Sequence, residues 1–370
     1  MRLAIFIPSF GDGGVERMLV NLAGGLAALG VAVDFLTRHR GAPYLDELDP
    51  RVRLIDGVRN GIADVQPFLC RYLQDARPDF VLCGKDESAF AVLLARRLAR
   101  VQTGLIMQPG TNFSARLAEL RPYARWRMRL KVRFVHRAAI AVVGNSEGVV
   151  EDIAKVAELR PERVHLIRNP TITRRLLAQA AEPLDHPWFA AGAPPVILGV
   201  GRLGKVKGFD VLLQAFAQVR QARPCRLMIL GEGRLRAALT KQARELGVEA
   251  DFALPGFDPN PYRYLARAAL FVLSSRREGA PNALIEALAL GTPVVSSDCA
   301  SGPAEILRAG AVAPLVPVDD APALARAMLA TLDRPGDALG RKAAVAEYSV
   351  EACAERYLAL FQSLAAEARA

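Results

Sequence analysis

Two glutamates, Glu278 and Glu286, stand with seven residues between them in LFVLSSRREGAPNALIEALALGTPVVSSD. Two cations, Arg202 and Lys207, stand close together in VGRLGKVKGFD. Carboxylates accept hydrogen bonds from neighbouring hydroxyls, so a pair of them suits a polyol. An arginine and a lysine in a glycine-rich turn suit a diphosphate, the first by bidentate contact and the second as a point charge. Lys205 can stand in for Lys207, but the Gly-Phe-Asp that follows favours Lys207. Pro281 stands where a helix can begin, while Gly291 and Pro293 stand where it must end. Glu278 is therefore expected in a loop at the carboxyl end of a strand, with Glu286 about one and a half turns into the helix. The amides of Gly279 and Ala280 and the helix N-terminus face the same place and can hold an anion beside the polyol. Gly13 and Gly14, between the first strand and the first helix, offer a second close backbone approach to phosphate.

Elements of a particular kind must position these residues. In the first half, the short apolar runs LAIFIPSF, VAVDFLT, FVLCG, TGLIM and AIAVVGNS alternate with longer amphipathic stretches. The second half repeats that order with PVILGVG, RLMILGEG, LFVLSS and PVVSSD, and with helices over about Arg234–Leu246 and Ala283–Leu290. Strands alternating with helices imply βαβ units and parallel sheets. Two doubly wound α/β domains follow, with ligands at the carboxyl ends of the strands. The expected boundaries are 1–170 for the first domain, a proline-rich linker over 171–195, and 196–347 for the second. The tail, 348–370, reads as an amphipathic helix.

Glu278, the seven residues after it and Glu286 resemble the E-x7-E signature of retaining glycosyltransferases of family 4, which have the GT-B fold. The block SSRREGAPNALIEALALGTPVVSSDCASGPAEIL is similar to that family's most recurrent block. The resemblance extends in order through GGVER, VGNSEGVVEDI, IRNP, GRLGKVKGFDVLLQAF and LMILGEGRLR, almost the whole chain. It implies two Rossmann-like doubly wound domains facing across a cleft, with the acceptor on the first and the donor on the second. The C-terminal helix would cross back to the first. The resemblance assigns Arg202 and Lys207 to the donor diphosphate, where they stabilise the departing charge. It assigns Glu286 to the nucleotide ribose and Glu278 to the transferred sugar, which makes Glu278, Arg202 and Lys207 the catalytic set. Gly13, Gly14, Gly279 and Ala280 complete the implied donor site. Glu232, in LGEGRLR, either lies near the base or belongs to a simple turn. The implied co-substrate is a nucleotide-diphosphate sugar, a UDP-sugar foremost, with no further cofactor. DCASGPAEIL and the overall spacing look most like bacterial transferases of surface polysaccharide or lipopolysaccharide assembly, with a glycan or lipid-linked acceptor.

The acceptor half departs from the family pattern. Many relatives carry a histidine at the end of a first-domain strand, where this chain reads LIMQPGTNFS, with Gln108 and Pro109. None of His39, His136, His165 or His186 stands in that place. The departure is compatible with a front-face mechanism in which a donor phosphate oxygen takes the acceptor's proton. Lys85, Asp86 and Glu87, after FVLCG, and Asn112 are the acceptor-side candidates. No Asp-x-Asp pair or HExxH spacing occurs, so no metal is expected. The five cysteines (Cys70, Cys83, Cys225, Cys299 and Cys353) are odd in number and dispersed, which fits reduced thiols in a cytosolic protein. The N-terminus does not read as a signal peptide, and no apolar run approaches the roughly 18 residues of a membrane span.

Three other functions compete with transfer. A dinucleotide oxidoreductase is suggested by the formal GxGxxG at 199–204, but the residues Lys205–Gly208 intervene before the next helix. A nucleotide-sugar epimerase of the same architecture would share the cleft, yet its chemistry needs acid and base residues, and no convincing set stands here. A non-catalytic sugar-binding or glycan-binding protein would have no need to keep Arg202, Lys207, Glu278 and Glu286 together.

The net charge is +10, and much of it is local. Between Arg116 and Arg137 there are eight Lys or Arg and one acid, Glu119. Within that span RWRMRLKVRF alternates cation and apolar residue. Taken as a helix beginning at Pro122, the segment gathers Tyr123, Trp126, Leu130 and Phe134 within about 80°, a face fit for burial. Met128, Val132 and Val135 then lie on the far side. The helix is either a surface helix with solvated cations or one lying on anionic lipid. In the second case Arg125, Trp126, Arg127, Arg129, Lys131 and Arg133 make the contact, and 121–137 holds a cytoplasmic protein on the inner face of the membrane. Nucleic-acid binding is not expected, because neither RNP-type aromatics nor a helix-turn-helix pattern accompanies the charge.

Overall fold

Short runs of Val, Ile, Leu and Phe, bounded by glycine or polar residues, form strands because branched side chains pack well on a pleated surface covered on both faces. A computed structural model describes residues 1–8, 14–37, 44–57 and 65–367. The chain divides into one unit of Met1–Pro170 with Ser349–Ala370 and another of Thr171–Tyr348.

The first unit is built on β1 (Arg2–Ile7), β2 (Ala32–Thr37), β3 (Arg53–Asp56), β4 (Phe80–Cys83), β5 (Gly104–Met107), β6 (Ala141–Gly144) and β7 (Val164–Leu166). Its helices are α1 (Gly14–Ala28), α2 (Val65–Ala76), α3 (Asp86–Ala99), α4 (Phe113–Ala118), α5 (Pro122–Ala138) and α6 (Glu147–Ala157). All its strand pairs are parallel, in the order β3-β2-β1-β4-β5-β6-β7. Alternation along β1 sends Leu3, Ile5 and Ile7 to one face and Ala4 and Phe6 to the other, so each face carries its own core.

The second unit begins with α7 (Arg174–Ala181) and continues with β8 (Val196–Val200), α8 (Phe209–Ala222), β9 (Arg226–Leu230), α9 (Arg236–Glu245), β10 (Phe252–Gly256) and α10 (Tyr262–Leu265). It goes on through β11 (Leu270–Leu273), α11 (Asn282–Leu290), β12 (Val294–Ser297), α12 (Pro303–Ile306), β13 (Leu315–Val316), α13 (Ala321–Asp333) and α14 (Ala338–Ala344). The sheet order is β10-β9-β8-β11-β12-β13, again parallel. Residues 171–195, expected as a linker, are instead part of this unit. Thr173 Oγ1 accepts from the Leu176 amide at 2.9 Å and starts α7. Leu176 and Ala180, one turn apart, are buried in the core beside β8 and β11, with Trp188 and Phe189 packed against them. The prolines mark irregular backbone, but the apolar side chains between them still need a core.

The last helix, α15 (Val350–Glu367), packs with the first unit. A Cβ at Gly25 of α1 would lie 2.6 Å from Val350 Cγ1 and 3.0 Å from Ala354 Cβ, so glycine lets the two helices meet closely. Tyr357 and Phe361 are fully buried, and the Phe361 ring stacks 5.5 Å from Phe80 of β4. Phe361→Ala is expected to destabilise the first unit by about 3–5 kcal/mol. Hydrogen exchange checks this, with protection falling in β1, β4 and α1 and not in β8–β12. Equal loss in both units would contradict the assignment of α15.

Candidate functional site

In the second unit the strand order reverses between β8 and β11, which are neighbours in the sheet. Loops leaving two such strands diverge, and the crevice between them is where an open parallel sheet binds ligands. The β8 loop ends in a 3-10 turn, Lys205–Lys207, followed by Gly208 at φ 61°. A Cβ at Gly208 would lie 2.0 Å from the Ser274 carbonyl oxygen, so only glycine lets this loop approach the end of β11. Lys207 Nζ then donates to Glu278 Oε1 at 2.6 Å, across 71 residues of sequence. Ser275 Oγ donates to the same oxygen at 2.6 Å, and Ser297 Oγ donates to the Ser275 carbonyl at 2.6 Å. Glu278 is thus held by one carboxylate oxygen while its other oxygen makes no hydrogen bond among the described residues. Ser275 and Ser297 carried no sequence signal beyond their place at strand ends. Only the pairing of β11 with β12 brings them together.

Helix α11 begins after Pro281 and is closed by Gly291 at φ 81°. Glu286, 7 % exposed, lies on its second turn, where Tyr262 Oη donates to Glu286 Oε1 at 3.3 Å. Among the described residues the amides of Gly279, Ala280 and Ala283 donate to no protein acceptor, so this end of the helix remains able to meet an anion. The turn at Gly302 packs against Gly279 and Pro281 and fixes the loop from outside. Behind Glu278 lies the buried thiol of Cys299, which burial, with the nearby carboxylate as second cause, pushes up to about 12.

Arg202, at the end of β8, is exposed, and its guanidinium makes no hydrogen bond or ion pair among the described residues. Lys205 is likewise exposed. Glu232 pairs with Arg236 on the first turn of α9, Arg236 Nε donating at 3.0 Å. In the formal GxGxxG the helix α8 starts only at Phe209, after the 3-10 turn, so the dinucleotide geometry is absent. Among the described residues no three His, Cys, Asp or Glu side chains gather as a metal site.

The first unit has its own reversal, between β1 and β4. Gly13 lies outside the described residues, as does His39, and Gly14 is the first residue of α1. Lys85 follows β4 and stands 3.6 Å from Glu16 of α1. Asp86 starts α3 with its Oδ1 4.0 Å from His136 Nδ1. His136 is fully buried, its Nδ1 2.9 Å from the Val132 carbonyl and its ring edge-on to Phe113. Burial pushes the imidazole down and the Asp86 carboxyl up. Asn112, an expected acceptor contact, caps α4, its Oδ1 accepting from the Ala115 amide at 2.9 Å. Gln108 is buried, with Nε2 on the Met18 sulfur at 3.5 Å.

The basic segment is helical from Pro122, as expected, but its faces are reversed. Val132, Val135 and His136 are buried, with Met128 partly so. Tyr123, Trp126, Leu130 and Phe134, the face fit for burial, point to solvent, Trp126 and Phe134 each 58 % exposed. The helix carries two apolar stripes, and its slim β-branched side lets it sit close to α3 and α6. Phe90, Leu94 and Leu98 of α3 are exposed too, and Phe90 meets Phe134 with ring centres 6.2 Å apart. Three of the expected surface cations are engaged within the unit. Arg125 Nε donates to the Leu117 carbonyl at 2.9 Å, Lys131 pairs with Glu87, and Arg133 pairs with Glu158. Arg129 is exposed and has no partner among the described residues, and Arg127 lies 5.7 Å from the Tyr123 ring. Among the described residues no helix is long and apolar enough to cross a membrane.

Two family models match the chain, Glycosyltransferase Family 4 over residues 12–175 and Glycosyl transferases group 1 over 194–334. The chain is 28 % identical to a lipopolysaccharide core biosynthesis glycosyltransferase of Rhizobium meliloti, over 95 % of this chain and 96 % of that one. It is 27 % identical to the N-acetylgalactosamine-N,N'-diacetylbacillosaminyl-diphospho-undecaprenol 4-alpha-N-acetylgalactosaminyltransferase of Campylobacter jejuni, over 86 % and 87 %. In fold it is similar to Anabaena HepE, solved with UDP and glucose, at a TM-score of 0.80 and 18 % identity over 98 % of this chain and 100 % of that one.

The thiolate is the form that reacts with alkylating reagents. At pH 8 iodoacetamide is therefore expected to label the half-buried Cys70 and spare Cys299 in the native protein, as read by peptide mass spectrometry. Labelling of Cys299 at the rate of Cys70 would show that the thiol is not packed behind Glu278.

Proposed function

Because this chain belongs to the family 4 and group 1 glycosyltransferases, we propose that it moves a sugar, with retention, from a nucleotide-diphosphate sugar to a glycan or lipid-linked acceptor. Its fold is GT-B. The observation that carries the reading is the convergence of Lys207 and Glu278 at the strand reversal, with Ser275 holding the carboxylate. In this reading Lys207 and Arg202 take the donor diphosphate and balance the charge that develops as the nucleotide leaves. The amides of Gly279 and Ala280 add donors on the same side, and Gly14 is the described part of the amino-terminal glycine pair. Glu278 receives the hydroxyls of the transferred sugar on its open oxygen, and Glu286 those of the ribose. The two cations supply the positive charge of the site, which supports transfer without a metal.

The reaction forms a bond from an acceptor hydroxyl oxygen to the sugar's anomeric carbon and breaks the bond from that carbon to the diphosphate oxygen. With glutamine at the strand end where many relatives have histidine, the proton goes to the leaving phosphate on the same face. A UDP-sugar is the foremost donor, supported by the UDP bound to a protein of similar fold. Cell-surface polysaccharide or lipopolysaccharide assembly is supported by the Rhizobium relative, and a lipid-linked acceptor by the undecaprenol named for the Campylobacter one.

A lipid-linked acceptor gives the exposed side of α5 a purpose. Tyr123, Trp126, Leu130 and Phe134 would enter the headgroup boundary of an anionic membrane, with Phe90 of α3 beside them and Arg127 and Arg129 on the phosphates. The protein would then work on the cytoplasmic face, where its five unpaired thiols remain reduced.

Calorimetry with UDP, GDP, ADP and NAD tests the donor site. One diphosphate is expected to bind, with affinity at least about tenfold lower in Arg202→Ala and in Glu286→Ala, the loss that follows removal of a charge-assisted contact. Binding of NAD alone, or of nothing, would refute the donor reading. Sedimentation with phosphatidylglycerol vesicles tests the surface. Binding at low salt that weakens at high salt is expected for the native chain, because the contact is partly ionic. Trp126→Ser with Phe134→Ser should abolish it. Failure of the native chain to sediment at low salt would refute membrane attachment.

A further inference from the structure

The Lys205–Lys207 turn is only three residues long and has no side-chain cap of its own. Its three carbonyls are instead all held by the loop that follows β11. Arg276 Nη1 donates to the Lys205 carbonyl at 2.6 Å, the Arg276 amide donates to the Val206 carbonyl at 2.7 Å, and Ser274 Oγ donates to the Lys207 carbonyl at 2.9 Å. The guanidinium is locked in plane by a two-pronged contact with Asp210 of α8, Nη1 to Oδ1 at 2.9 Å and Nη2 to Oδ2 at 2.7 Å. Its Nε donates to Asp319 Oδ1 at 2.6 Å. A planar fork of donors is what this arrangement requires, because one side chain must meet a backbone carbonyl and two carboxylates in fixed directions. Four of the five N–H donors of the Arg276 guanidinium are thus engaged by the protein.

We propose that Arg276 is a positioning residue for the transfer reaction, fixing the Lys205–Lys207 turn and through it the place of the Lys207 ammonium. This rests on the assignment of Lys207 to the donor diphosphate. Arg276 stands two residues before Glu278, so one side chain sets the spacing between the loop that carries the cation and the loop that carries the carboxylate. A general stabilising role would weaken every ligand of the unit alike. A positioning role weakens only what Lys207 touches.

The test compares calorimetric binding of UDP and UMP, or of the diphosphate and monophosphate of whichever base proves to bind. The proteins are the native chain, Arg276→Lys, Lys207→Ala and the double variant. Arg276→Lys keeps the charge and loses the fork. It is expected to weaken UDP about ten- to hundredfold, the scale of loss when a contact group is misplaced by about 1 Å. UMP should change by less than about twofold, and Arg276→Lys should add nothing further to Lys207→Ala, because the two substitutions remove the same contact. Equal loss of UDP and UMP, or losses that multiply in the double variant, would overturn the inference. So would an Arg276→Lys variant that binds UDP as the native chain does while Lys207→Ala does not. Absence of any diphosphate binding in the native chain would overturn the donor reading itself. If thermal melting shows Arg276→Lys to be unfolded, Asp210→Asn releases the fork from its other side and must give the same UDP-selective loss.

Discussion

The reversal of strand order between β8 and β11 is the constraint on which the second unit's chemistry depends. Two strands that are neighbours in the sheet send their following loops apart, and the residues at those loops' roots are left facing each other. Gly208 then lets the first loop approach to where any Cβ would strike the Ser274 carbonyl, and the three carbonyls of the Lys205–Lys207 turn find donors on the second. The Lys207–Glu278 pair is a result of this geometry more than a source of stability. Partly withdrawn from water, such a pair loses hydration about as fast as it gains attraction, so its neighbours must hold it in place. In the proposed reading an incoming diphosphate takes over the ammonium while Ser275 keeps the carboxylate where it is.

In the first unit, packing decides what the basic helix offers to its surroundings. The sheet-facing side is formed by Val132, Val135 and His136, which are slim enough to sit flush against the elements beneath. The larger aromatics are left outside, and one of them, Phe134, meets Phe90 of the neighbouring helix. Much of the positive charge is used internally, Arg125 closing α4 and Arg133 and Arg137 sharing Glu158. An exposed face that is both aromatic and flanked by remaining cations is a combination that an anionic bilayer accepts, which is why the proposed reading places it there.

Most of the fold was legible because its central strands are dense apolar runs punctuated by glycine. The strands at the sheet edges, β3, β7, β10 and β13, were not, because half-buried short strands carry mixed residues. The 171–195 stretch read as a linker because proline breaks periodicity, and nothing local says that Leu176 and Ala180 have a core to enter. A polar residue after a strand, such as Asn112, suits both binding and capping a helix, and only the structure shows that its Oδ1 caps α4.

By itself the sequence determined the two doubly wound units, the loop positions of Lys207 and Glu278, the helical placing of Glu286 and the helical state of 122–138. These rest on local periodicity and on the backbone demands of glycine and proline, which neighbouring residues settle. Only the tertiary structure decided that Lys207 and Glu278 meet, that Ser275 and Arg276 hold that meeting in place, that Tyr262 reaches Glu286, and which stripe of α5 is buried. Those are contacts between segments distant along the chain, set by strand order and by the volumes on each side of an interface, and no local pattern encodes either.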